Sequence, residues 1–311
     1  MLIRTKLRDR DDEFWRHWAL RALLALGAAH FLAGVVFFFA YNWDDLGPFA
    51  RFGLLQGALL VVLVAALSAG LHRPAGKALL IAASVLTGVL FAVIGQVYQT
   101  GADAWELFAL WTVLVLPWVF ASLSSAHWFL WGVLALTAFS AYGGQVLVPM
   151  GVITGEDLTT AVGALAIGAL IALELAIRAG VEWLDERWLR VSLALAGLAV
   201  LLIPAIAFVL DGNENALGLA TFLVAAGALV YIYARVLPEF AVVAIATGFA
   251  ALLAMVAGGR VIFDIVGTDG DAGRLVMGLL MLLLWCGFLT AATVRVLNLL
   301  NRQMAGREAN D

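Results

Sequence analysis

Residues 188–210 read WLRVSLALAGLAVLLIPAIAFVL, and Asp211 is the first charge after Arg190. A helix of twenty uncharged, mostly apolar residues rises ~30 Å, the thickness of a bilayer's hydrocarbon core. Nine further stretches read the same way: 18–41, 52–72, 77–98, 104–123, 126–143, 158–178, 215–235, 239–258 and 274–297. The composition agrees. Of 311 residues, 64% are apolar and 13% charged, about half the ~25% charge of a soluble domain. This excludes a soluble enzyme, and the net charge of −4 excludes a basic nucleic-acid footprint. The single cysteine, Cys286, excludes a disulfide framework and a cysteine-based zinc site within one chain. The expectation is an all-α, polytopic transmembrane helix bundle of about ten spans.

Charge placement gives an expected orientation. If the N-terminus is cytoplasmic, only Arg51, Arg260 and Arg274 of the 18 Lys and Arg residues face outward, as the positive-inside rule requires. Both termini are then cytoplasmic. The organisation is a short charged segment (1–17), the transmembrane bundle (18–297) and a polar tail (298–311). The fifth span could extend through QVLVPMGVI (145–153), and the inner loop RAGVEWLDERWLR (178–190) has the pattern of a short interfacial amphipathic helix. Eleven acids, from Asp44 to Asp271, share the outer side with the three arginines.

Polar residues at membrane depth are costly and are the first functional candidates. The end of span one, FFFAYNWDDLGPF (37–49), carries Asn42, Asp44 and Asp45, with Pro48 placed to open span two. The end of span three, IGQVYQTGADAWELF (94–108), carries Gln96, Tyr98, Gln99, Asp103, Trp105 and Glu106, the two acids at capping-box spacing. Gln56 lies two turns into span two. These ten residues form the candidate ligand-binding set, with Asn42 and Gln96 expected to face the interior in one polar cluster. Amides and acids among aromatics suit a cation, a sugar-like headgroup or water. His30, near the middle of span one, is a candidate proton relay, set against a plain structural hydrogen bond. Glu174 and Arg178, four apart, are expected to form an intrahelical ion pair. Gly163 and Gly168 are expected to allow close helix packing. No histidine shares the depth of His30, so no metal site is expected. The usual phosphate-loop, zinc-protease and serine-hydrolase motifs are absent from the sequence, and neither a catalytic residue nor a cofactor is assigned.

GVVFFFAYNWDDLGPFARFGLL (34–55) and IGQVYQTGADAWELFALWTVLVLPW (94–118) together resemble the domain-of-unknown-function 2157 family of bacterial membrane proteins. The first resembles its apolar run ending in Asn-Trp-acid, the second its Gln-aliphatic-Tyr segment followed by Asp and a Trp-bearing helix. The resemblance covers about residues 15–123 and implies a bacterial inner-membrane protein without an assigned reaction. Three classes of function follow. A permease for a small or amphipathic solute, with an outward polar cleft among spans one to four, comes first. A non-catalytic scaffold or envelope sensor comes second, and an enzyme acting on a lipid or envelope precursor third. The expected partners are membrane lipids and possible small solutes, with no nucleic acid.

Overall fold

The computed structural model describes Trp15, Arg16, residues 18–20, Leu23, Leu26, His30, Gly34, Phe37, Tyr41 and residues 45–98, 101, 103–212, 216–267 and 272–308. Every described residue between 15 and 41 is helical. From Pro48 onward the described residues form nine helices. These are α1 (Pro48–Ala69), α2 (Pro74–Tyr98), α3 (Ala104–Ser122), α4 (Ser125–Tyr142), α5 (Gly155–Arg178), α6 (Arg187–Asp211), α7 (Leu217–Arg235), α8 (Phe240–Val266) and α9 (Ala272–Glu308). All nine are long and apolar enough to cross a membrane, and no strand occurs among the described residues. The fold is all-α and polytopic. The remaining expected span, 18–41, falls largely outside the described residues.

The chain divides into two units, Met1–Ala58 and Leu59–Asp311. In the first, the Trp15 and Trp18 rings meet edge to face at 5.9 Å. Pro48 opens α1 as expected, because its fixed φ and missing N–H suit a first helical turn. The Arg51 Nε donates to the Leu46 carbonyl at 2.8 Å, tying that turn to the helix.

In the second unit α6 is central. It packs against α4, α5, α7 and α8, and α9 covers α8. Apolar side chains of α5 to α8 form the larger core, joined by Met304 from the far end of α9. The α9 helix thus continues through most of the stretch expected to be a polar tail. A smaller core joins Val115 and Val119 of α3 to Leu134 of α4, edged by Trp111, Trp118, Trp128 and Trp131. Outward faces carry exposed Val113, Ile171, Val224 and Leu284, as lipid-facing surfaces do.

Between helices in lipid the hydrophobic drive is weak, and close backbone approach at small residues takes over. The α5–α6 pair interlocks reciprocally. A side chain at Gly163 would meet Leu201 Cγ at 2.7 Å, and one at Gly197 would meet Ile167 Cδ1 at 2.6 Å. Each glycine therefore receives the large residue of its partner. Gly168, expected to do the same, has open space beside it. A second device occurs twice. The Trp111 indole lies on Gly88 of α2 and donates to the Ser84 carbonyl at 2.7 Å. The Trp285 indole lies on Gly258 of α8 and donates to the Ala254 carbonyl at 3.2 Å. In both, the ring covers a glycine and its N–H finds the carbonyl one turn earlier.

One local expectation is corrected. The 178–190 segment is not an amphipathic helix. Gly180, at φ +92°, ends α5 in the left-handed region, and only a single 3₁₀ turn, Glu182–Leu184, precedes α6. With eight residues between helices the chain has too little length for an interfacial helix. The α4 helix does extend past 143, through one π-helical turn, Gly143–Leu147.

The glycine contacts separate two sets of variants. Gly88→Val and Gly258→Val should lower the thermal midpoint in detergent strongly, by the ~1–3 kcal/mol or more of an overpacked core. Gly168→Val should not. Equal melting of all three would refute the packing described.

Candidate functional site

Glu174, Ser84, Ser122 and His127, polar side chains that the second unit buries, gather in two places at the end where α5 and α7 finish and α6 and α8 begin, whereas Thr160 is buried near the start of α5. The first centres on Glu174, a carboxylate only 9% exposed. Its Oε1 accepts the Tyr233 hydroxyl from α7 at 2.6 Å and the Arg190 Nε from α6 at 2.8 Å. Tyr233 is itself 1% exposed. Arg190 also donates through Nη2 to Asp185 Oδ1 at 2.6 Å, which anchors the turn between α5 and α6. Beside this, Arg187 Nε donates to Glu239 Oε1 at 3.0 Å, and the same oxygen caps α8 by accepting from Ala241 N at 3.2 Å. One end of four helices is thus stitched together by charge.

The expected Glu174–Arg178 pair is corrected. Glu174 pairs with Arg190, and Arg178 stands exposed on the last turn of α5. The i,i+4 rule describes an isolated helix surface, whereas Glu174 faces α6 and α7. A carboxylate removed from water needs charged or hydroxyl donors around it, and the beginning of α6 supplies them.

The second place joins α2, α3 and α4. His127, fully buried, lies between two serines that are also fully buried. Ser84 Oγ is 2.7 Å from His127 Nε2, and Ser122 Oγ is 3.0 Å from Nδ1. Ser122 donates its own proton to the Val119 carbonyl at 2.9 Å. It therefore accepts from His127 Nδ1–H, which leaves Nε2 to accept from Ser84. A neutral imidazole satisfies every group. Lys77 Nζ, donating to the Leu123 carbonyl at 2.8 Å, fastens the same helix ends. Ser84, Ser122 and His127 are absent from the sequence-derived candidates. Ser84 interrupts an apolar helix, whereas Ser122 and His127 lie at the serine-rich turn between α3 and α4 and carry no comparable signal.

Of the ten candidate ligand-binding residues, Asn42, Asp44 and Gln99 lie outside the described residues, and so does the cluster they were to form with Gln96. In the first unit Asp45 is exposed in the turn before α1, and Gln56 is exposed on α1. In the second, Gln96 and Tyr98 are exposed near the end of α2, and Asp103 and Glu106 are exposed at the start of α3. Trp105 is half-buried there and packs edge to face on Tyr142, 5.2 Å away. The capping box expected of Asp103 and Glu106 is not formed. Asp103 occupies the cap position without a side-chain hydrogen bond, and the Gln145 side chain from beyond α4 accepts from Trp105 N at 3.1 Å instead. A complete capping box stands at Thr154 and Asp157, opening α5. His30 is placed within one helical turn: its Nδ1 is 2.8 Å from the Leu26 carbonyl, which can only accept. Among the described residues no group of three or more His, Cys, Asp or Glu is arranged to hold a metal ion.

If the Ser84–His127–Ser122 chain is a structural staple, Ser84→Ala leaves an imidazole nitrogen buried without a donor. The loss should be ~1–3 kcal/mol of stability, read as a lowered melting midpoint in detergent. Ser68→Ala, which removes only an exposed bond to the Val64 carbonyl, should leave the midpoint unchanged. Indistinguishable midpoints for the two variants would contradict the staple.

No curated protein and no solved structure matches the chain. A family model does match, over residues 3–128, a stretch that contains both of the quoted polar motifs and the α2–α4 junction at His127. Over that stretch the chain is similar to the family described as Predicted membrane protein (DUF2157).

Proposed function

We propose that the protein is a permease-like carrier for a small or amphipathic solute in the bacterial inner membrane, with both termini in the cytoplasm. The observation that carries the reading is the Glu174 network. Ionisable side chains buried within spanning helices are expensive, and in polytopic proteins they mark pathways and moving elements. Here one carboxylate oxygen holds three helices, α5, α6 and α7, at a single end of the unit. Breaking its two hydrogen bonds frees those helix ends to separate, as a two-state gate requires. The excess of Lys and Arg at this end supports a gate at the cytoplasmic side. At the opposite end, the exposed Gln96, Tyr98, Asp103 and Glu106 offer amides and acids where a cation or polyhydroxylated solute first meets the protein.

The test is flux in proteoliposomes, with rubidium ion, glucose and a short-chain fluorescent amphiphile as probes. At least one probe should cross faster than in protein-free vesicles. Glu174→Gln and Tyr233→Phe should each change that rate by about tenfold, the effect of one lost charge-assisted bond at a gate. Flux equal to protein-free vesicles for every probe would overturn the permease reading and favour a scaffold. Orientation is tested separately. Cytoplasmic reporters fused at either terminus should be active, and an active periplasmic reporter at residue 311 would overturn the even number of spans.

A further inference from the structure

At the end of the second unit opposite the Glu174 network, α6, α8 and α9 leave an open groove of about 500 Å³, within the ~300–1,000 Å³ of small-ligand sites. Its walls are apolar: Leu210 from α6, Met255, Val256 and Phe263 from α8, Leu282 and Cys286 from α9. Two charges interrupt them, Arg260 and Asp264, one turn apart on α8. We propose that this groove holds one phospholipid with a primary-ammonium headgroup, its phosphate on Arg260, its ammonium on Asp264 and an acyl chain along the apolar walls.

Depth is the first argument. Arg260 is 20 residues beyond Phe240, the first residue of α8, and a helix of that length rises ~30 Å. The start of α8 carries the Arg187–Glu239 pair. With that pair at one membrane surface, Arg260 stands at the opposite boundary between acyl chains and headgroups.

Charge order is the second. From the membrane interior outward, the groove presents an apolar wall, then a cation, then an anion. A zwitterionic phospholipid presents an acyl chain, then a phosphate, then an ammonium. The two sequences are complementary at every step. Arg260 is held in place, because its Nη1 donates to the Val209 carbonyl of α6. Its contact with Asp264 is loose, Nε to Oδ2 3.5 Å, and the Asp264 side chain is 69% exposed. Neither charge saturates the other, so each keeps capacity for a headgroup. A primary ammonium gives Asp264 three N–H donors. A quaternary ammonium donates none, and a glycerol headgroup brings no cation.

Cys286 in the groove wall is the chain's single cysteine, which makes it a built-in reporter. The full chain, purified in nonionic detergent, is offered equal amounts of phosphatidylethanolamine, phosphatidylcholine and phosphatidylglycerol, and retained lipid is read by native mass spectrometry. One phosphatidylethanolamine per chain should be kept, favoured over phosphatidylglycerol by about fivefold, the worth of a single exposed charge contact. Asp264→Asn should bring that ratio near unity at an unchanged melting midpoint. In parallel, phosphatidylethanolamine should slow alkylation of Cys286 by N-ethylmaleimide more than phosphatidylglycerol does in the wild type, and the two should slow it equally in Asp264→Asn. Retention of phosphatidylglycerol equal to or above phosphatidylethanolamine by the wild type would overturn the proposal. So would an unchanged lipid ratio in a folded Asp264→Asn protein.

Discussion

Glu174 is an acid near the end of a helix otherwise made for lipid. Its carboxyl group is accommodated there because an arginine from α6 and a tyrosine from α7 converge on the same oxygen. Taking a carboxylate out of water costs several kcal/mol, which only well-placed partners repay. This requirement sets where α6 must start. It explains why the chain turns sharply at Gly180 and spends only one 3₁₀ turn before Arg187. It also fixes the register of α7, since Tyr233 must stand level with Glu174, two residues before the helix ends at Arg235. The neighbouring Arg187–Glu239 pair extends the same stitching to α8.

Away from that end, apolar helices need another source of specificity, because lipid tails are as apolar as leucine. The second unit obtains it by shape. Large residues enter spaces left by glycine, reciprocally between Gly163–Leu201 and Gly197–Ile167, and again beneath Trp111 and Trp285. In the tryptophan cases the indole N–H adds a hydrogen bond to a helix carbonyl, which gives the contact a direction as well as a fit. Buried serine and histidine do the same work between α2, α3 and α4. Charge, shape and neutral hydrogen bonds thus act in one unit, with charge and shape both acting on the α5–α6 pair.

The spans were legible in the sequence because a membrane imposes a length and a polarity that single residues cannot escape. Pro48 at a helix start and Gly163 in a helix contact were legible for similarly local reasons. The possible extension of the fifth span past residue 143 was visible, but its π-helical form was not. Pairings between helices were hidden. Glu174 and Arg190 are 16 residues apart, Tyr233 and Glu174 59 apart, and Trp111 and the Ser84 carbonyl 27 apart. Such pairs become visible only once helix neighbours and register are known, so local spacing favoured Arg178 for Glu174 and Asp103 for the cap of α3. Asp103 holds the cap position, but the side-chain hydrogen bond to that first turn comes from Gln145, 40 residues after Trp105. The polar words near residues 42 and 96 carried the family resemblance correctly, and the matched stretch, 3–128, contains both.

The central claim is that Glu174 and Arg190 act as one unit in holding α5 to α6. A double-mutant cycle measures this directly, using reversible unfolding of the full chain in lipid bicelles with Glu174→Met, Arg190→Met and the double variant. Arg190→Met should cost ~3–5 kcal/mol, because it removes the charged partner of a buried carboxylate, and Glu174→Met should cost less, because Arg190 keeps Asp185. The double variant should cost much less than the sum, giving a coupling of several kcal/mol. Additive losses would show that the two side chains do not depend on each other, and the account of this bundle end would fail.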